Sequence, residues 1–148
     1  HIPGTVLLND DQPAIRMHGQ TPVIYGTPWS GKTPCYKNYG IELNSVFVLE
    51  QAPENEITEM PAIPFFRDLL ASCSMMREDR STFEPITPTL SGVVRQVKGF
   101  RLRSLPGREA AEMSLRCCEQ VWNEKLRQRE KSGIRHTTEK EIKHESDG

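Results

Sequence analysis

The run Val46-Phe47-Val48-Leu49 constrains the fold more than any other stretch of the chain. It is four apolar residues in a row, three of them β-branched or aromatic, too short for a helix and without polar alternation. That is the pattern of a strand covered on both faces. Ile41-Glu42-Leu43 leads into it. Such a strand needs neighbours beside it and layers above and below, so the other segments should supply more strands and amphipathic helices.

They read that way. Val6-Leu7-Leu8, ending at Asn9-Asp10-Asp11, has the form of a short buried strand with polar residues at its carboxyl end. Ala14-Ile15-Arg16-Met17 and Pro22-Val23-Ile24-Tyr25 flank His18-Gly19-Gln20, which predicts a hairpin. Pro53-Glu54-Asn55-Glu56 reads as a turn. From Met60 the spacing becomes helical, with Ile63, Phe66, Leu70 and Cys73 near one face and Pro61 and Pro64 in the first turn, where missing N–H groups do least harm. Leu90, Val93, Val94 and Val97 mark a second helix. Phe100-Arg101-Leu102-Arg103 alternates like a strand, and Ala111, Leu115, Cys118 and Trp122 mark a third helix. The expected fold is α/β, a mixed sheet with flanking helices, over residues 1–122. Residues 123–148 are nearly all charged or polar and read as a helical extension passing into a disordered tail.

A net charge of −1 over 148 residues asks for neither nucleic acid nor an anionic membrane surface. No apolar run approaches the roughly 20 residues of a membrane span. Cys35, Cys73, Cys117 and Cys118 have no Cys-x-x-Cys spacing, so reduced thiols in a cytoplasm are expected and not a zinc site or a disulfide framework. A chain that opens at His1, almost inside a strand, reads as the downstream piece of a longer protein.

Gly26-Thr27-Pro28-Trp29-Ser30-Gly31-Lys32-Thr33 fits G-x-x-x-x-G-K-[ST] letter for letter. In a working phosphate loop, successive backbone amides cradle the phosphates at the start of a helix. A strand precedes this stretch, in Val23-Ile24-Tyr25. Pro34 follows it directly, however, and Gly40 and Val46-Phe47-Val48 arrive too soon for an amphipathic helix. The expectation is a Gly/Pro-rich connecting loop with no helix of three turns after Gly31.

Asn9-Asp10-Asp11 supports two readings. Adjacent carboxylates at the end of a strand suit Mg²⁺ and a phosphate acceptor, and the same three residues make good turn chemistry. The stretch Val6 to Arg16 resembles the apolar strand and paired-Asp segment of HPr kinase-like and phosphoenolpyruvate carboxykinase-like phosphotransferases. Tyr25 to Lys32 resembles a segment of the bacterial branch of that group. Val46 to Gln51 looks like its next core strand, and Phe100 to Pro106 with Ala110-Ala111 looks like its closing strand and helix. The likeness runs in order from about Gly4 to Trp122. Its specific parts are the paired Asp and Gly-Thr-Pro-Trp-Ser-Gly-Lys.

The resemblance implies part of a phosphoenolpyruvate carboxykinase-like nucleotide-binding domain whose phosphate loop lies upstream of Asp10. It implies ATP and Mg²⁺ as cofactors, with one Asp of the pair as acid/base at the acceptor hydroxyl and the other on the metal. These roles are assigned to Asp10 and Asp11 in that order, though they can be exchanged. Lys32, beside Gly31, reads either as a loop charge that meets phosphate or as an exposed surface lysine. The acceptor would be a hydroxyl of a protein, peptide or small molecule, in a chain that can form a homo-oligomer. Arg101 and Arg103, on one face of a strand, read as surface arginines that can reach phosphate. Three functions fit: a fragment of an HPr kinase-like phosphotransferase, a non-catalytic binding module, and a P-loop NTPase using Gly26 to Thr33.

Overall fold

The computed structural model describes residues 2–33, 35, 37–74 and 80–133. It is a mixed α/β structure of two three-stranded sheets and, among the described residues, three helices. The expected single mixed sheet is therefore two sheets, one antiparallel and one mixed.

In the first sheet, β1 (Ala14–His18), β2 (Thr21–Tyr25) and β3 (Gly40–Glu42) run antiparallel in that order. The predicted hairpin is present, with His18 opposite Thr21 and Ile15 opposite Ile24. Gly19 at φ +60° supplies the positive-φ residue of the two-residue turn. His18 Nε2 and the Tyr25 hydroxyl lie 2.6 Å apart across the hairpin. The expected strand at Val6-Leu7-Leu8 does not form. These residues join no ladder, and Val6 and Leu7 are exposed. Apolar character without a pairing partner does not make a strand, because the backbone groups must be satisfied as well.

The second sheet has the order β4 (Ser45–Gln51), β6 (Lys98–Ser104), β5 (Glu56–Glu59). β4 runs parallel to β6, and β5 runs antiparallel to it. β4 is thus an edge strand. Val46 and Val48 face the core, Phe47 stacks on Phe100 with centroids 5.2 Å apart, and Leu49 is 74% exposed. The expectation of full cover fails at Leu49, where the exposed end of the strand, Leu49 to Gln51, begins. The turn read at Pro53-Glu54-Asn55-Glu56 leads into β5, which starts at Glu56 and was not read from the sequence: Glu56-Ile57-Thr58-Glu59 has one apolar residue, and its pairing with β6 decides its state.

α1 (Ala62–Ser72) and α2 (Arg80–Gln96) follow β5, and α3 (Arg108–Lys131) follows β6. The inner face of α1 is one residue out of phase with the expected one. Phe65 is 1% exposed and Ile63 is 83% exposed. The reason is Gly99 on β6, whose missing side chain leaves room for the Phe65 ring; a Cβ there would lie 2.4 Å from the ring. α2 carries the predicted inner face of Leu90 and Val93, with Val97 just past its end, but begins ten residues before Leu90 and holds Pro85 and Pro88 within it. Leu43, Met60, Phe65, Val93 and Val97 form the core, joined by Ile15, Met17 and Ile24 from the first sheet and Val46 and Val48 from the second. α2 packs on β1 and β2 of the first sheet and against α1, which packs on β6 of the second.

α3 continues past Trp122 to Lys131. Lys125 and Arg129 both reach the Glu42 carboxylate on β3, and the Arg129 guanidinium lies 5.7 Å from the Trp122 ring centroid. The predicted tail beyond Gly133 lies outside the described residues. No helix among the described residues is long and apolar enough to cross a membrane.

Candidate functional site: a loop closed by Asp10

The loop between β2 and β3 carries the Gly26–Thr33 stretch. It cannot continue β2, because Pro28 lacks an amide donor and Gly26 approaches the returning chain closely. Gly26 N–H donates to the Tyr39 carbonyl at 3.3 Å, and a Cβ on Gly26 would fall 1.9 Å from the Lys37 carbonyl oxygen. No helix follows: residues 31–33, 35 and 37–39 are all non-helical. Pro34 and Tyr36 lie outside the described residues. A phosphate loop needs the aligned amides of a helix start, and the described residues of this loop have none.

A second segment, residues 7–12, lies along the loop and closes it. The Asn9 side-chain amide donates to the Thr27 carbonyl at 3.2 Å, to Thr27 Oγ1 at 3.2 Å and to the Trp29 carbonyl at 3.0 Å. Thr27 Oγ1 donates to the Gln12 carbonyl at 2.7 Å. The Cys35 thiol lies 3.1 and 3.2 Å from the Leu7 and Leu8 carbonyl oxygens. Asp10 makes the tightest closure. Its Oδ1 accepts the Gly31 N–H at 2.7 Å and its Oδ2 accepts the Thr33 N–H at 2.9 Å. These amides, Thr33 first and then Gly31, hold the Asp10 carboxyl below its ordinary value.

The two segments singled out in the sequence thus meet. Gly31 touches Asp10 directly, and a Cβ on Gly31 would sit 3.1 Å from Asp10 Oδ2. Asp11 is exposed, and its backbone N–H donates to Asn9 Oδ1 at 2.8 Å in an Asx turn. Lys32 is exposed on the loop. Asp10 and Asp11 sit on an irregular segment and not at a strand end. No protein-family model matches the chain, and no curated protein or solved structure matches it either.

Asp10 and the loop amides satisfy each other, so both of its oxygens are committed. An ionised carboxylate bridging two N–H donors is what an anion would do there. Among the described residues, no group of three or more His, Cys, Asp or Glu side chains gathers as a ready metal site. Mg²⁺ can be held by one carboxylate with water and nucleotide phosphates, and Asp11 is the exposed carboxylate beside the loop that fits that role.

The arginines of β6 are engaged elsewhere. Arg101 pairs with Glu50 at 3.1 Å and Asp68 at 2.9 Å, and Arg103 pairs with Glu50 at 3.3 Å and Glu56 at 3.4 Å. Asp68 and Glu50 are held below their ordinary values, chiefly by hydrogen bonds from Arg67 and Arg101 respectively. Neither β6 arginine is left to meet a phosphate without breaking these pairs.

Two residues that matter here escape the sequence reading. Asn9 and Thr27 carry most of the stitching between the segments. The available signal was Asn9 itself, since an Asn beside two Asp residues combines acceptor and donor and favours local backbone capture. The outcome at the surface is specific: Trp29, whose carbonyl is tied to Asn9, leaves its side chain 67% exposed at the loop tip.

Proposed function

We propose that the chain is a non-catalytic binding module that presents Trp29 from a pre-closed loop to a protein or peptide partner. The observation that carries this reading is the bidentate bond from Asp10 to the Gly31 and Thr33 amides. It fills the place a phosphate would need and spends the loop's donors on rigidity. A closed loop carrying an exposed Trp is economical for binding, because little further freedom is lost on association. Trp is also among the residues that most often dominate an interface. The neighbouring segment leaves Val6 and Leu7 exposed as further apolar surface. The free cysteines, Cys35, Cys73, Cys117 and Cys118, suit a cytoplasmic setting.

The test is a peptide-display selection on the immobilised chain, counter-selected with Trp29→Ala, together with a calorimetric titration of ATP–Mg²⁺. The reading expects a peptide consensus that needs Trp29 and no saturable nucleotide heat. Peptides indifferent to Trp29, or micromolar ATP affinity, would overturn it.

One observation favours a second reading, a fragment of an HPr kinase-like phosphotransferase: Asp10 and Asp11 lie beside Gly31 and Lys32 although some twenty residues separate them in the chain. In that reading Asp10 serves the acceptor hydroxyl, Asp11 holds Mg²⁺, and Gly31 and Lys32 meet the phosphates of ATP. Asp10 must first release the two amides. Its signature would be nucleotide affinity that disappears in Asp11→Asn, with phosphoryl transfer falling about 10²–10⁴-fold on loss of the acid/base.

A further inference from the structure

On the far side of the hairpin turn, an open groove of about 520 Å³ runs between that turn and α2. Its volume is within the range of small-molecule sites. Met17, Gly19 and Pro88 line it with Gly92, and Gln20, Thr89, Arg95 and Gln96 supply the polar rim. Gly92 sets its shape. A Cβ at Gly92 would come within 3.0 Å of the Met17 methyl group, so the glycine lets the thioether lie directly on the helix. A mid-helix glycine is destabilising relative to alanine, and close approach of Met17 is what it allows here. Gly19 keeps the opposite rim low, with nothing within 4 Å of where its Cβ would stand.

The charge in the groove is of one sign. Among the described residues, Arg95 is the only charged one of the lining, and no carboxylate lines the groove with it. Arg95, like Arg16, Arg116 and Arg127, makes no ion pair with a carboxylate among the described residues, and it differs from them in lining this groove. Its planar fork suits a carboxylate in a bidentate contact. A single cation in a lining that also holds a methionine and a proline matches a ligand with one negative charge and an apolar body.

We propose that this groove binds a small monocarboxylate, with the carboxylate on Arg95 and the apolar body on Met17 and Pro88. The site is independent of the Trp29 loop and stands or falls apart from it. The test is a ¹H–¹⁵N NMR titration of the whole chain with hexanoate, with hexan-1-ol as the uncharged probe and Arg95→Gln as the variant. Saturable shifts at Gly19, Gln20, Thr89 and Gly92 are expected. Affinity should fall about tenfold or more for hexan-1-ol and for Arg95→Gln, since a hydrogen bond to a charged group is worth roughly 1.5–3 kcal/mol. Arg95 is exposed, so the variant should keep the wild-type spectrum away from the groove. Shifts that rise linearly without saturating, or equal affinities for hexanoate in wild type and Arg95→Gln, would overturn the proposal.

Discussion

Asp10 Oδ1 accepts the backbone N–H of Gly31 at 2.7 Å, across 21 residues of chain. With the Thr33 contact it turns a stretch that spells a nucleotide loop into one that closes on its own carboxylate. The spelling and the geometry disagree because the motif's letters specify only which residues can bind phosphate. The amides must also point outward from a helix start, and here they point at Asp10.

Removing that carboxylate should free the loop without unfolding the core. Asp10→Ala is expected to lower hydrogen-exchange protection of the Gly31 and Thr33 amides toward the unprotected limit, while Val23 and Val93 amides stay as they are. Asp10→Asn should be intermediate, since its amide group keeps one acceptor oxygen and loses the other. The same contact fixes the pH behaviour. The folded Asp10 value is lowered, so the closure is complete at neutral pH and is lost only as pH falls through a midpoint below the ordinary Asp value of about 3.9. The amide shifts of Gly31 and Thr33 should titrate together at that lowered midpoint. Titration at or above the ordinary value would contradict the closure.

Phe65 and Gly99 make a second pair with a sharp consequence. The ring fills the place a side chain at 99 would take, with Phe65 only 1% exposed. Gly99→Ala should cost about 1–3 kcal/mol by overpacking, and Phe65→Ala about 3–5 kcal/mol by leaving a cavity. The double variant Gly99→Ala/Phe65→Ala should lose less than the sum of its parts, because the smaller side chain gives the new methyl room. Urea denaturation of the four proteins measures this, and strict additivity would show that the two residues do not compete for one space.

Glu42 ties α3 to the first sheet through Lys125 and Arg129. Burial works to raise its carboxyl, and the hydrogen bonds and charges of Arg129 and Lys125 outweigh it, so its value lies below the ordinary one. A lowered folded value means the contribution is fully present above the unfolded value, about 4.3 for Glu, and fades as pH falls through the folded value. Glu42→Gln should cost about 1–2 kcal/mol at pH 7, between an exposed and a buried pair. Its stability should converge on that of wild type as pH falls below about 4. Chemical denaturation at several pH values would show it; a gap that stays constant with pH would mean that packing and not charge holds α3 in place.

What the sequence made legible follows from which forces it encodes locally. The hairpin was readable because Gly19 and the flanking apolar pairs are local signals. α2 was readable at Leu90 and Val93 because its inner face keeps helical spacing, and β6 was readable because Phe100 and Leu102 alternate with its two arginines. β5 was invisible, since its strand state comes from β6 beside it. Val6-Leu7-Leu8 misled for the converse reason: its apolar character has no ladder to join. The phase of α1 depends on a glycine more than thirty residues away. At the candidate site the sequence pointed to Asp10 and to the loop separately. Only the folded chain shows that they bond to each other, because that contact depends on how residues 7–12 lie along the loop.

The geometry around Asn9 leads to the last expectation, which concerns Trp29. The Asn9 amide holds the Trp29 carbonyl at 3.0 Å and the Thr27 carbonyl at 3.2 Å, so the loop tip is fixed by its backbone while the indole stays exposed. Trp29→Ala should therefore leave stability within about 0.5 kcal/mol of wild type and abolish binding of any peptide selected through the tip. Asn9→Ala should keep the indole and lose the clamp. Binding should then weaken because the partner must order the loop itself, and dissociation should change more than association. The mobility of the indole can be read directly in a Trp122→Phe background, where Trp29 is the single tryptophan. Time-resolved fluorescence anisotropy should show slow, whole-molecule tumbling for that protein and an added fast component once Asn9 is replaced by Ala. Equal anisotropy decays with and without Asn9 would mean that the clamp does not fix the tip, and the case for a pre-closed recognition loop would fall with it.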